Sequence, residues 1–258
     1  ALLTLGAILL GQLLISNAVI TRYQTGVLEQ VGIYIIMAVS LNVATGYLGQ
    51  LPLGHAGFMS IGGYSCSILI MRLMPVLGVG MRDFVTATPA ACALFVGGVL
   101  FGGVMAAVAG IIIGVPALRL KGDYLAIITL GFAEIIRILI TNLTPLTNGS
   151  LGLKGIPPHT TLWMSWGCLT AVLVCTVSML NSGTGGAMRA VRDDDAAARM
   201  MGIDTFRMRV LAFTLGCFGA GLGGALMGNL ITTIDPRMFM ITQTYSILMI
   251  VVIGGLGS

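Results

Sequence analysis

The chain has 258 residues, 57% of them hydrophobic and 9% charged, with a formal net charge of +4 and a mean hydropathy of +1.01. Soluble domains carry roughly 25% charged residues, so this composition excludes a soluble globular protein. It also leaves little for catalysis. Cys66, Cys92, Cys168, Cys175 and Cys217 all fall in apolar stretches without a CxxC pair, and His55 and His159 are far apart. The cysteines read as small buried hydrophobes, and no metal site or disulfide framework is expected.

A membrane-spanning helix needs about 20 mostly apolar residues. Eight candidate spans meet or approach that length: Ala1–Ile20, Val27–Thr45, Leu53–Met71, Thr88–Gly114, Tyr124–Asn142, Leu162–Leu180, Met208–Leu230 and Ile241–Ile253. Unpaired backbone groups are not tolerated in lipid, so these are helices, and the alternation of a β-barrel is absent. The fold class is therefore an all-α integral membrane bundle, a single domain over 1–258. Residue 1 already lies in an apolar run with no basic segment before it, so no signal peptide is expected. The last residues stop at a span or its exit turn, and more chain is expected beyond them.

In chain order, the second span leads to a glycine-rich stretch, Tyr47–Met71, with Pro52 and His55. It either crosses or enters and leaves by one face. Asn42, Gln50 and His55 are polar candidates for a path or gate. The next span carries Gly98, Gly102, Ala106, Gly110 and Gly114 at intervals of four; a later one carries Ala212, Gly216, Ala220, Gly224 and Gly228. Residues four apart share a helix face, so each helix has a groove of small residues that permits close helix packing in lipid. Glu134 and Arg137 lie three apart on one span and can pair. Glu134 stands about 16 Å of helical rise beyond Asp123, near the middle of a core about 30 Å thick. Ionisable groups at that depth face protein or water, so these two are candidates for a buried structural pair or for a path or gate. Thr141–Thr160, with three prolines and several glycines, is a turn-rich loop.

The most charged segment is Gly185–Leu211, which holds Arg189, Arg192, Arg199, Arg207 and Arg209 with Asp193, Asp194, Asp195 and Asp204. A loop helix with both charge signs suits docking to a soluble partner better than binding to anionic lipid. Acids suit a helix's first turn and N-cap, Ala196–Ala198 favour helix, and Gly202 is placed as a C′ residue. Asp204 then caps the next span. The expected element is one short helix over Arg189–Gly202. This loop and Val115–Asp123, with Arg119 and Lys121, hold seven of the thirteen Lys and Arg. By the positive-inside rule both are cytoplasmic, as are both chain ends.

The spacing Ala197-Ala198-xxx-Gly202 resembles the coupling loop of ABC importer permeases, with Ala196 at the position of the generic glutamate and Asp195 beside it. Other segments resemble the permeases of branched-chain amino-acid importers in particular. These are Gly46–Ala56, Leu118–Ala126, Thr129–Arg137, Asn148–Pro157 and Gly254–Ser258, all in order. Pro52 departs from the serine expected there. The resemblance implies a permease in a bacterial-type plasma (inner) membrane, multi-pass, importing branched-chain or other hydrophobic amino acids. It implies a second homologous permease, two cytoplasmic ATPase subunits and an extracytoplasmic substrate-binding protein, seated for instance on Thr141–Thr160. It also implies an ATPase contact within 185–205 through Arg189, Arg192, Asp193, Asp194, Asp195, Ala197, Ala198 and Gly202. The chain has no GxxxxGK[ST] loop, so ATP and Mg are expected in the partner subunits, and this chain is expected to be neither an enzyme nor a nucleic-acid binder. A urea or amide importer permease, an ion-coupled secondary transporter and an intramembrane enzyme are the alternatives.

Overall fold

The computed structural model describes residues 22–85, 88–120 and 123–255. The expected span Ala1–Ile20 lies outside them, as do Lys121 and Leu256–Ser258. The described chain is almost entirely helical. In order come α1 (Arg22–Thr45), α2 (His55–Val76), α3 (Met81–Val85), α4 (Pro89–Ala117), α5 (Asp123–Asn142) and α6 (Thr144–Thr147). After a 3-10 turn and the strand β1 (Leu153–Lys154) come α7 (Leu162–Leu180), α8 (Gly183–Asp193), α9 (Asp195–Met200) and α10 (Thr205–Ile231). The strand β2 (Thr233–Ile234), a second 3-10 turn and α11 (Ile241–Gly254) complete it. Among the described residues, six helices are long and apolar enough to cross a membrane: α1, α2, α4, α5, α7 and α10. The chain is thus a multi-pass membrane protein. The eighth expected span is α11, an apolar helix of only 14 residues.

The core forms around α10. It packs against α1, α2 and α4 at once, and its small residues set the distances. A Cβ on Gly216 would lie 3.1 Å from the Ser40 carbonyl of α1, and one on Gly224 would collide with the Met59 carbonyl of α2. Gly228 is filled by Ile234. On α4, a Cβ added at Gly98 would press on Ile70, one at Gly102 would lie 2.5 Å from the Gly62 carbonyl oxygen, one at Gly110 2.7 Å from Cys217 and one at Gly114 2.8 Å from Phe213. The two expected grooves are therefore helix–helix contacts. The stripe on α10 is not its one packed face, however. Gly221, off the stripe, is buried against Ala106 and the Gly102 carbonyl of α4. A helix enclosed on several sides has no free face for the spacing to distinguish.

Tyr47–Met71 resolves into two parts. Residues 46–54 are non-helical, and α2 is one unbroken helix of 22 residues, long enough to cross. It starts at His55 rather than Leu53 because the chain first turns through Gly49, which sits at φ +71°. Irregular backbone inside a bundle must find internal partners. Here Leu53 N–H donates to Thr129 Oγ1 on α5 (3.0 Å), and Ala56 N–H donates to Thr244 Oγ1 on α11 (3.2 Å). One linker donor and one of α2's first-turn donors are thereby satisfied by neighbouring helices.

The turn-rich loop over 141–160 carries structure that its composition hides. β1 pairs antiparallel with β2, Leu153 opposite Ile234 and Lys154 opposite Thr233. Gly152 (φ +69°) leaves no room for a side chain against the Ile234 carbonyl. Asn148 takes a left-handed conformation at φ 60°. His159 is buried, with Nδ1 bonded to the Phe84 carbonyl at 2.7 Å and its ring edge-on to Phe84 and Phe95. Among the cysteines, Cys66 and Cys217 are buried as expected, but Cys175 is exposed on α7.

Candidate coupling surface and path

The polar loop folds as two helices, not one. α8 ends at Asp193, and Asp194 leaves the helical region at φ −152° and ψ 108°. Its Oδ1 accepts from Ala196 N–H (2.8 Å) and Ala197 N–H (3.1 Å), so Asp194 is the N-cap of α9. Asp195 is the acid in the first turn, where it meets the positive end of the helix dipole. Gly202 follows at φ +80°, a C′ geometry that favours glycine. Asp204 Oδ1 then accepts from Arg207 N–H (3.1 Å) and caps α10. The caps and the stop thus lie where the sequence puts them, while Arg189 and Arg192 belong to α8. The single helix fails at Asp194 because capping side chains compete with a continuous backbone ladder.

The loop is tied to three spans. Arg192 Nη1 donates to the Gly46 carbonyl at the end of α1 (2.7 Å), and its stem fills the space beside Gly49. Arg189 lies over the Tyr47 ring, 5.7 Å from the centroid, and reaches the Leu180 carbonyl of α7. Asp195 joins α9 to α10 through Arg209 Nη2 (2.8 Å) and accepts from Arg199 Nη2 within its own helix (3.0 Å). Arg199 Nε also donates to Thr205 Oγ1 (3.2 Å). Arg209 is buried in the first turns of α10. The sequence offered it only as one of five arginines, and its burial depends on how α9 folds back.

The faces of α9 divide cleanly. Ala198 is buried with Met188, Val191 and Ala212 in a small cluster, whereas Ala197 is exposed and Met200 and Met201 are 87% and 83% exposed. Ala198 therefore packs inward. The outward surface is Ala197, Met200 and Met201 with Asp193 and Arg192. Two adjacent, nearly bare methionines at the end of a short helix form an adaptable apolar contact rimmed by charge.

The intramembrane polar residues do not converge. His55 is buried and bonds through Nε2 to Ser40 Oγ on α1 (3.1 Å). Ser40 spends its hydroxyl proton on the Met37 carbonyl (2.8 Å), so the histidine is the donor and its Nε2 carries the hydrogen. The Asn42 carbonyl takes Gly46 N–H and Tyr47 N–H as α1 ends. Gln50 is half-buried in the linker beyond, and its N–H donates to the Ala44 carbonyl. Glu134 and Arg137 pair, with Nε 3.0 Å from both carboxylate oxygens and a further Nη2 bond to Oε1. The pair is not buried in this chain: the Glu134 side chain is 49% and the Arg137 side chain 26% exposed. The burial expected from depth fails because α5 is covered over part of its surface only, by α2, α4 and α11. Among the described residues a cavity of about 600 Å³ lies between α4, α7 and α10, lined by Phe95, Val99, Met164, Cys168, Phe218 and Leu222 among others. None of its described lining residues carries a charge, so it offers no fixed charge to a zwitterion.

The profile of the family described as branched-chain amino acid transport system / permease component matches residues 23–258. The high-affinity branched-chain amino acid transport system permease protein LivM of Escherichia coli (strain K12) is 34% identical, over 88% of this chain and 57% of its own length. The probable branched-chain amino acid transport permease protein LivM of Methanocaldococcus jannaschii is 25% identical over 88% of this chain and 73% of its own. The high-affinity permease protein LivH of Escherichia coli (strain K12) is 26% identical over 87% and 75%. The chain spans well under two thirds of the Escherichia coli LivM it matches. No solved structure matches it.

Proposed function

The chain belongs to the family of branched-chain amino-acid transport permease components, and we propose that it forms part of the membrane path of an ATP-driven importer for leucine, isoleucine and valine. A second, homologous permease completes the path. Two cytoplasmic ATPase subunits, holding ATP and Mg, drive it, and an extracytoplasmic binding protein delivers the substrate. The proposed arrangement has eight spans in a bacterial-type inner membrane, with the α8–α9 loop and both ends of the sequence cytoplasmic. The positive-inside pattern supports that orientation. The packing of Gly114 of α4 on Phe213 of α10 agrees with it, since it brings the Arg119 turn to the same end of the bundle as α8 and α9.

The observation that carries this reading is the outward face of α9 joined through Asp195 to the buried Arg209 of α10. A push on Ala197 and Met200 has no slack to cross before it reaches α10, and through α8 and Arg192 it reaches α1. α1 and α10 pack on each other, and α10 also packs on α2 and α4, so closure of the ATPases would tilt them as bodies. Rigid-body gating of that kind alternates access across a membrane.

The test is uptake of labelled leucine by proteoliposomes holding all subunits and the binding protein. Uptake should require hydrolysable ATP inside the compartment of the ATPases. Uptake without ATP, driven by a proton or sodium gradient, would overturn the importer reading in favour of a secondary transporter.

A further inference from the structure

The end of the bundle that carries the polar loop holds a second apolar space. A groove of about 400 Å³ lies between α4 and α10, walled by Ile111 and Val115 of α4 and by Phe206, Val210 and Leu215 of α10. Leu215 also lines the cavity between α4, α7 and α10, so the two spaces adjoin. Thr214, on the same wall, spends its hydroxyl proton on the Val210 carbonyl (2.7 Å). Arg207 is the one charged residue among the described lining, and it is the third residue of α10. A helix of 27 residues rises about 40 Å, against a hydrocarbon core of about 30 Å, so its first turn lies at headgroup level. The Arg207 side chain is 82% exposed and meets Asp204 through Nε (2.9 Å), an acid itself half-exposed. Arg119, also exposed, follows in the turn that ends α4. In sequence this rim holds Arg119, Lys121 and Arg207 against Asp123 and Asp204, which leaves positive charge over. No Asp or Glu occurs at positions 1–21, 86–87, 121–122 or 256–258. Those parts of the chain would cover the walls of the groove but not answer its charge. A soluble protein would answer the charge but not reach walls that run into the bilayer. The groove asks for an apolar stem inside the membrane and an anion at its surface.

We infer that the α4–α10 groove is a binding site for an anionic phospholipid of the adjoining leaflet, with an acyl chain along Ile111, Val115 and Val210 and the phosphate held by Arg119 and Arg207. Guanidinium groups pair with phosphate through parallel N–H donors. Basic pockets between spans on the cytoplasmic side bind anionic headgroups, and this end of the bundle is cytoplasmic in the proposed orientation. A lipid seated there would link α4 to the first turns of α10, just beyond the point where α9 joins. The inference rests on the membrane placement of the bundle and not on what the chain transports.

Native mass spectrometry tests it on the complete transporter, purified through a tag on this chain and given equal amounts of phosphatidylglycerol and phosphatidylcholine with the same acyl chains. The unaltered protein should retain phosphatidylglycerol about tenfold better. Arg119→Gln combined with Arg207→Gln should abolish that preference. Arg237→Gln, exposed and beyond the far end of α10, should keep it. Ile111→Trp, at a position 44% exposed, should fill the groove and lower retention of phosphatidylglycerol to that of phosphatidylcholine. Arg119 and Arg207 are both exposed, so the double variant is expected to fold, and that arm stands even if Ile111→Trp inserts poorly. No preference in the unaltered protein, or a preference that survives the loss of both arginines, would overturn the site. Equal loss in Arg237→Gln would reduce it to diffuse attraction of charge and overturn it as well. In a background without the native cysteines, a short bis-maleimide link from Ile111→Cys to Leu10→Cys, or to another subunit, would overturn the occupant. None of these measurements needs ATP or uptake, so failure here leaves the permease reading standing, and failure of ATP-driven uptake leaves the lipid site standing.

Discussion

Asp195 and Arg209 show how much one side-chain pair can decide. Their side chains are 22% and 10% exposed, and they hold α9 against α10 at 2.8 Å. Removing one partner strands the other's charge; partial solvent access reduces the cost to about 2 kcal/mol. Asp195→Ala and Arg209→Ala should each lower the melting temperature of the purified protein, and the double variant should lie well short of their sum. Additive losses would mean that the two residues are not coupled. The Glu134–Arg137 pair should behave in the opposite way. It is exposed in this chain, so Glu134→Gln is expected to leave insertion and melting nearly unchanged while slowing uptake by the assembled transporter. A fall in melting temperature as large as that of Arg209→Ala would place the pair in the chain's own core. The spacing of Glu134 and Arg137 made their pairing legible, and a cap at Asp193–Asp195 was equally plain from composition. What spacing could not carry is which side of a helix is covered, because that is a property of the neighbours. The same gap hid Arg209 and turned Ala198 inward.

Among the elements, α10 is the helix whose sequence says most and misleads once. Its stripe of Ala212, Gly216, Ala220, Gly224 and Gly228 marks real contacts, since each is buried. Gly224→Leu would drive a side chain into the Met59 carbonyl of α2, a backbone atom that cannot step aside. The cost is expected to be about 3 kcal/mol or more, read as lost folded yield in the membrane. Gly221 would seem the natural control because it is off the stripe, yet a Cβ there would lie 2.5 Å from Ala106, so it should be nearly as intolerant. The valid control is Gly97 of α4, open on its outer side. If Gly97→Leu and Gly224→Leu lose yield alike, close helix packing is not what the glycines provide. Similar reasoning explains why six spans were readable from hydropathy while α2's start was not. Length and apolarity are local, whereas the threonines that cap residues 53 and 56 come from α5 and α11, far along the chain.

At the scale of the whole molecule the question is whether the polar loop moves the bundle. α8 and α9 hold α1 through Arg192, α7 through Arg189 and α10 through Asp195, so a load on the loop is shared by helices that line the core. The angle between α9 and α10 is fixed at Gly202, whose φ of +80° places the turn between them. No atom crowds that position, so a side chain there would fail by conformation and not by collision. Gly202→Val asks a β-branched residue to take a left-handed backbone, at about 1–2 kcal/mol. The chain can relieve that strain by rotating α9 away from α10, which would break the Asp195–Arg209 contact without altering any span. The variant is therefore expected to insert and to bind its partner chains, and ATP hydrolysis should continue while leucine uptake falls sharply. Contact with the ATPase is best followed from Ala197 or Met200, since both are exposed where Ala198 is not. A cysteine at 200, in a background without the native five, should cross-link to the ATPase in a nucleotide-dependent way in the unaltered chain. In Gly202→Val that dependence should be lost. Full uptake in Gly202→Val, together with no cross-link from 197 or 200 under any nucleotide condition, would mean that force enters the bundle by another route.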